Sequence, residues 1–323
     1  MADRASVAPG PLGFGGANLG NLYRPMSDED AQAVLDAAWN AGIRHFDTAP
    51  HYGLGLSERR LGAFLAGKPR AEYVLSTKVG RLLRPTPERA EEMDDAAGFA
   101  VPATFERVWD SSADGVRRSL DGSLQRLGLD RVDVLYLHDP DEAGIELDRA
   151  LGTGLPALAE LRAAGLVDAV GVGSKSITAL LGAARTGLAD LLMVAGRYTL
   201  LEQPAAAELL PECRARDIGV VIAGVFNSGL LATAGPQPGA HYEYAAAPAD
   251  VLEQVHRLRK VCARHGVELP VAALQFPLRE PAVHAIVLGG SRPEQVRENV
   301  ERLRVPVPPA LWDDLAAEGM IRS

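Results

Sequence analysis

Four polar side chains carry the chemistry this sequence offers. Asp47 and Tyr52 stand in DTAPHYG, Lys78 in STKVG, and His138 closes VDVLYLH. A phenol titrates near pH ~10, too high for easy proton exchange at neutrality. A neighbouring ammonium stabilises the phenolate and lowers that value. A buried lysine is itself costly unless a carboxylate balances it. The expected order of influence is therefore that Asp47 orients Lys78, Lys78 tunes Tyr52, and Tyr52 moves the proton. His138 would hydrogen-bond a substrate oxygen and position it. No side-chain nucleophile or electron sink is needed, because a bound hydride carrier would complete a carbonyl–alcohol interconversion. Each residue alone has a plainer role open to it: Asp47 as a turn cap, Lys78 as a rim cation, His138 as a satisfied core histidine, Tyr52 as packing. Their joint occurrence at neighbouring strand ends favours the chemical reading.

The elements that must position them are short apolar runs alternating with amphipathic helices. Strands are expected at 12–16, 44–49, 73–79, 132–138, 169–174, 190–196, 219–224 and 283–290. These runs are rich in Val, Ile and Leu and mostly lack polar alternation, as parallel strands buried on both faces do. Between them Ser27 caps an expected helix with Asp28, Glu29 and Asp30 in its first turn and Gly42 at its end. Further helices are expected at 111–127, 155–165, 176–186, 204–216, 250–265 and 293–303. Eight β/α units point to an α/β fold, a closed (β/α)8 barrel, and the 323 residues are read as one domain, 1–323. Long structureless connections are expected at 80–110 and 225–249, after strands three and seven. Barrel enzymes place their sites at that end of the strands. Trp109, His241, Tyr242 and Tyr244 on these connections are candidate substrate contacts, with loop packing as the other possibility.

Composition removes several classes. A net charge of −9 and the absence of a basic run give no support to nucleic-acid binding or to an anionic membrane surface. The N-terminal MADRASVAPGPLGFGG lacks the apolar core of a signal peptide, and no apolar stretch approaches the roughly 20 residues a bilayer needs. Cys213 and Cys262 lie in expected helices without a CxxC, so a reducing cytoplasm is the expected home and neither a disulfide framework nor a zinc site is expected. GAFLAGKP resembles a P-loop, but Pro69 stands where Ser or Thr must reach a metal, and the segment ends a helix. GFGGANLG resembles a dinucleotide fingerprint, but Asn18 occupies the third glycine position. No GxSxG occurs. His138, Asp139 and Asp141 lack companions at ligand spacing, so no metal is expected.

DTAPHYGLGLSERRLG, STKVG, the strand ending in His138, and GGSRPEQVREN together resemble the aldo-keto reductases, from LGFGG to Asn299. The resemblance implies Asp47, Tyr52, Lys78 and His138 as a catalytic tetrad, with Tyr52 and His138 also touching substrate. It implies an extended NAD(P) without a Rossmann fold, held by Gly16, Ala17, Asp47, Ser174, Asn227, Ser228, Gly229, Leu230, Gly289, Gly290, Ser291, Arg292, Gln295, Glu298 and Asn299. Backbone N–H groups of 227–230 would face the pyrophosphate. Gln295 and Gly289 stand where phosphate-binding members carry arginine and lysine, which leans toward NAD⁺, while Arg292 keeps NADP⁺ open. Ala195 and Ala223 or Gly224 replace the usual nicotinamide contacts, leaving Ser174 as the amide partner. GGANLGNLYRPMSDEDA, VDVLYLHDPDE, AGRYTLLEQ and GVFNSGLLA are similar to the branch of aldose, L-fucose and L-galactose dehydrogenases and pyridoxal 4-dehydrogenase. That implies oxidation of an aldose at C1 to its lactone by a cytoplasmic enzyme acting on a small molecule. Pyridoxal oxidation, general carbonyl reduction, and a non-catalytic cofactor-binding subunit are the alternatives. Oligomeric state is not legible.

Overall fold

The eight apolar runs form eight parallel strands that close into a barrel. They are β1 (Leu12–Gly15), β2 (His45–Asp47), β3 (Val74–Val79), β4 (Val134–His138), β5 (Ala169–Ser174), β6 (Leu191–Ala195), β7 (Gly219–Ala223) and β8 (Val283–Gly289). Each pairs with its neighbours in sequence, and β1 closes the ring on β8. The computed structural model describes residues 8–322 except 234, 236–238, 240, 243 and 244. Tyr244 and the first seven residues therefore lie outside the described residues, as does the side chain of His241.

The barrel lumen is packed, as the fold requires. Val74, Val134, Tyr136, Ala169, Leu191, Met193, Val221 and Val287 form one cluster inside the ring. A second and larger cluster lies between the strands and the surrounding helices. Those helices are α1 (Asp28–Asn40), α2 (Leu56–Leu65), α3 (Ala113–Leu127), α4 (Leu147–Ala163), α5 (Ile177–Thr186), α6 (Leu209–Arg216), α7 (Ala249–Arg264), α8 (Leu269–Gln275), α9 (Pro293–Arg304) and α10 (Pro309–Ala317). The Ser27 hydroxyl accepts from Asp30 N at 3.0 Å, so the expected cap forms.

Four expectations need correction. Helix α4 starts eight residues before 155, because 147–154 carries two glycines whose low propensity hid the turn. The segment 204–216 divides into a short 3₁₀ turn at Pro204–Ala206 and α6. Helices α8 and α10 were not expected; each has proline at its start, where the missing N–H costs nothing. Neither long connection is structureless: Arg81–Pro85 and Phe105–Trp109 pair as an antiparallel hairpin in 80–110, and His241–Tyr242 pairs with Ala245–Ala246 in 225–249.

Candidate active site

The register of the barrel fixes the site. Asp47 lies opposite Ser76, Lys78 opposite Tyr136, and His138 opposite Gly173, so three strand ends present polar side chains at one mouth. Tyr52 reaches the same mouth from the loop after β2. That loop is held tightly to the loop after β1. Gly53 has φ +60, and a Cβ there would come within 2.2 Å of the Gly20 carbonyl oxygen, so only glycine permits the approach. Ser57 donates to the Gly16 carbonyl at 2.7 Å and lies 2.8 Å from the Thr48 hydroxyl. Behind the loop, Glu58 of α2 is fully buried, accepts from Thr77 at 2.9 Å and pairs with Arg126 of α3 at 2.6 Å.

The four expected residues meet. Lys78 Nζ donates to Asp47 Oδ2 at 2.6 Å, to the Thr48 carbonyl at 3.0 Å and to the Tyr52 hydroxyl at 3.1 Å. Ser76 donates to the other Asp47 oxygen at 2.7 Å. Asp47 and Lys78 are each 2% exposed, so the pair is desolvated and every charged hydrogen bond counts. The His138 ring lies 6.1 Å from the Tyr52 ring, edge to face. Burial pulls the Lys78 ammonium down, but Asp47 and Tyr52 together outweigh it and push it above the usual lysine range, so it stays charged. The Tyr52 phenol corrects the expectation of a lowered pKa. Burial raises it, and the Lys78 ammonium opposes that rise without cancelling it. His138 is held well below the usual histidine range by burial, with Arg81 and Lys78 adding to the effect, so its imidazole is neutral.

A cavity of about 280 Å³ opens over these groups. Tyr52, Lys78 and His138 line it together with His51, Phe99, Asp139 and Ser174. His51 and Phe99 had no role in the sequence reading, and Asp139 entered it only as a metal ligand that was set aside. Phe99 belongs to the long connection, while His51 and Asp139 each flank a residue already singled out, the one signal that could have found them. Trp109 lies behind this wall, its ring 4.8 Å from the Arg81 guanidinium, and does not line the cavity. Tyr242 packs against the core and also lies outside the cavity lining.

A groove of about 760 Å³ continues from the mouth, sharing Asn18, Leu22, Gly224, Val287 and Gly289 with it. It gathers Asn227, Ser228, Gly229, Gly290, Ser291, Arg292, Gln295, Glu298 and Asn299. Ala17, Gly289 and Ser174 line the mouth, Gly289 being shared with the groove. Gly16 and Leu230 line neither space: Gly16 is engaged with the Asp47 carbonyl, and Leu230 is in the core. The N–H groups of Asn227, Gly229 and Leu230 already donate to carbonyls within their own turn, which corrects the expectation of four presented amides. Ser174 donates to Asp141 at 2.9 Å, and its oxygen also accepts from Ser176 N at 2.9 Å.

An extended dinucleotide fits this groove on two observations. Asn227 is buried, and its Oδ1 has no hydrogen-bond partner among the described residues, as an acceptor waiting for a ligand donor would be. A Cβ on Gly289 would come 2.6 Å from Asn18 Oδ1 and fill the junction of mouth and groove.

The aldo/keto reductase family profile matches residues 11–317. This chain is an aldo/keto reductase. It is 52% identical over 321 residues to a D-threo-aldose 1-dehydrogenase from Pseudomonas sp, covering 99% of this chain and 97% of the relative. It is 41% identical to a pyridoxal 4-dehydrogenase from Microbacterium luteolum, covering 98% and 96%. The solved holo form of an aldo-keto reductase from Bacillus halodurans superposes with a TM-score of 0.76 at 24% identity, over 97% of this chain and 92% of that one, and shares its fold. This aldo/keto reductase is thus an oxidoreductase, and its family works with nicotinamide cofactors. No described helix is long and apolar enough to cross a membrane. Among the described residues no group of three His, Cys, Asp or Glu side chains is placed to hold a metal.

Proposed function

We propose that this enzyme oxidises an aldose at C1 to the lactone, with NAD⁺ as the favoured hydride acceptor and Tyr52 as general base. The observation that carries the reading is the three-way contact of Lys78 with Asp47 at 2.6 Å and Tyr52 at 3.1 Å. The 52% identical aldose dehydrogenase supports the substrate class. Asp47 neutralises Lys78 inside the barrel, and Lys78 stabilises the phenolate of Tyr52. Tyr52 takes the hydroxyl proton of the substrate. His138, neutral, donates to the same oxygen and fixes its position. A bound nicotinamide would supply the acceptor for the hydride that leaves the carbon.

Asn227, Ser228 and Gly229 would hold the middle of the dinucleotide, with Ser291, Gln295, Glu298 and Asn299 around its adenosine end and Ala17, Ser174 and Gly289 nearer the ring. Gln295 Oε1 accepts from Ser291 N at 2.9 Å, which offers a 2′-phosphate no positive charge and supports NAD⁺. Arg292, exposed at the start of α9, is the cation that would serve NADP⁺. A mouth of this size suits one sugar ring or another small molecule. Two buried, unpaired cysteines fit a reducing cytoplasm. A second reading, pyridoxal oxidation, is favoured by the 41% identical relative and by Phe99, whose ring could face a pyridine.

The test follows nicotinamide absorbance with NAD⁺ or NADP⁺ against L-fucose, L-galactose, D-arabinose, pyridoxal and simple aldehydes. Turnover of at least one sugar with a higher kcat/KM for NAD⁺ is expected. Absence of turnover on every sugar overturns the aldose reading, and pyridoxal as the preferred substrate selects the second.

A further inference from the structure

Among the described residues two carboxylates line the mouth, and they stand in opposite states. Asp47 has both oxygens engaged, one by Ser76 at 2.7 Å and the other by Lys78 at 2.6 Å. Asp139 has one oxygen engaged: its Oδ2 pairs with Arg81, and no donor among the described residues reaches Oδ1. Asp139 opens the short turn Pro140–Glu142, where an aspartate ordinarily folds its side chain onto the following amides, yet it makes no such cap. Its backbone is left-handed, φ 40, a costly conformation for a residue with a side chain. Arg81 fixes the carboxylate. This arginine is only 4% exposed, lies over the Trp109 ring and also reaches Glu142 at 2.9 Å. The Asp139 side chain itself is 19% exposed and lines the cavity. Burial pushes its carboxyl up to about 6 while Arg81 draws it down, so above neutrality it is an ionised acceptor.

Its place beside the reacting oxygen decides what it would accept. Asp139 Oδ2 lies 3.3 Å from His138 Nε2, the atom proposed to donate to that oxygen. In a substrate hydroxylated on the next carbon, the second oxygen lies about one hydrogen-bond length from the first. We propose that Asp139 is a substrate-binding residue that selects carbonyls and alcohols carrying a hydroxyl on the carbon next to the reacting one. The hydroxyl donates to the carboxylate in a charge-assisted hydrogen bond. A substrate without it strips the carboxylate of water and puts no donor in its place, so it is rejected. The neighbouring Ser174 is already engaged, donating to Asp141 and accepting from Ser176 N. An aldose carries the required hydroxyl at C2. The inference rests on His138 holding the reacting oxygen and not on the substrate being an aldose.

The test compares lactaldehyde with propanal, which differ by that hydroxyl alone, each reduced with NADH or NADPH at pH 8. The wild type should show the higher kcat/KM for lactaldehyde. In Asp139→Ala the ratio of the two kcat/KM values should fall by roughly tenfold or more, the loss expected when a charged hydrogen bond is removed. A merely structural defect would lower both rates alike and leave the ratio unmoved. Asp139→Asn keeps the size of the side chain and an oxygen for Arg81; it should lower the same ratio and carries the test if Asp139→Ala does not fold. A wild type that turns over lactaldehyde no better than propanal, or an unchanged ratio in the folded variant, would overturn the proposal. Absence of turnover on every sugar, together with a lactaldehyde preference that Asp139→Ala removes, would overturn the aldose reading and leave the role of Asp139 standing.

Discussion

The mouth and the groove are built on opposite principles. In the mouth, charged groups are almost fully buried and bind one another: Lys78 alone makes three hydrogen bonds, to Asp47, Thr48 and Tyr52. In the groove, Arg292 and Glu298 are exposed, and among the described residues Glu298 pairs with Arg302 alone, at 3.4 Å. Removing one member of a desolvated network leaves its partners unpaired in low dielectric, whereas an exposed side chain falls back on water. The mouth should therefore respond to substitution in both stability and rate, and the groove in ligand preference alone.

The largest effect is expected at Tyr52. Tyr52→Phe deletes the proposed proton carrier but none of the buried charge, so kcat should drop by roughly 10²–10⁴-fold. Dinucleotide binding, followed by fluorescence quenching, should stay near the wild-type value. A variant that keeps full turnover would remove Tyr52 from the mechanism and with it the functional half of the contrast.

Lys78→Met tests the energetic half. It leaves Asp47 buried with only Ser76 as a side-chain donor, which should cost about 3–5 kcal/mol of stability, seen as a lowered melting temperature and denaturant midpoint. A melting curve like that of the wild type would show that the mouth is better hydrated than its burial indicates.

pH should separate the two carriers. The Tyr52 phenol is raised by burial and must be ionised to act as a base, so the kcat/KM for oxidation should climb as pH rises above neutrality. His138 is depressed and already neutral, so it adds no protonation step on the acid side. An oxidation rate that declines from pH 7 to pH 9 would contradict the assignment of Tyr52 as base.

The smallest effect belongs to the groove. Gln295→Arg should shift the ratio of kcat/KM for NADP⁺ over NAD⁺ upward by roughly tenfold, the worth of one charged hydrogen bond. The melting temperature should not move. An unchanged ratio would place cofactor choice on Arg292 or elsewhere in the groove.

How far the sequence reached follows the same division. Most of the strands were legible because a parallel strand buried on both faces must be a near-continuous apolar run, and Val, Ile and Leu supply it, although β2 (His45–Asp47) has none of the three. Asp47, Lys78 and His138 were legible because each is polar at the end of such a run, and Tyr52 because DTAPHYG places it just beyond one. The hairpin was not legible. Its strands are separated by the nineteen residues between Pro85 and Phe105, far outside the short loops whose turn chemistry announces a hairpin. Arg81 and Asp139 were passed over for the same reason, since their contact spans 58 positions.

By itself, then, the sequence determined the barrel and the membership of its polar mouth, because hydrophobic period and strand ends are local properties. Only the tertiary structure decided the protonation of that mouth. It placed Tyr52 deep enough for burial to outweigh the Lys78 ammonium, and it buried His138 near Arg81 and Lys78, which help keep its imidazole neutral. Desolvation and charge pairing depend on what surrounds a group in space, and no residue carries that information in its neighbours along the chain.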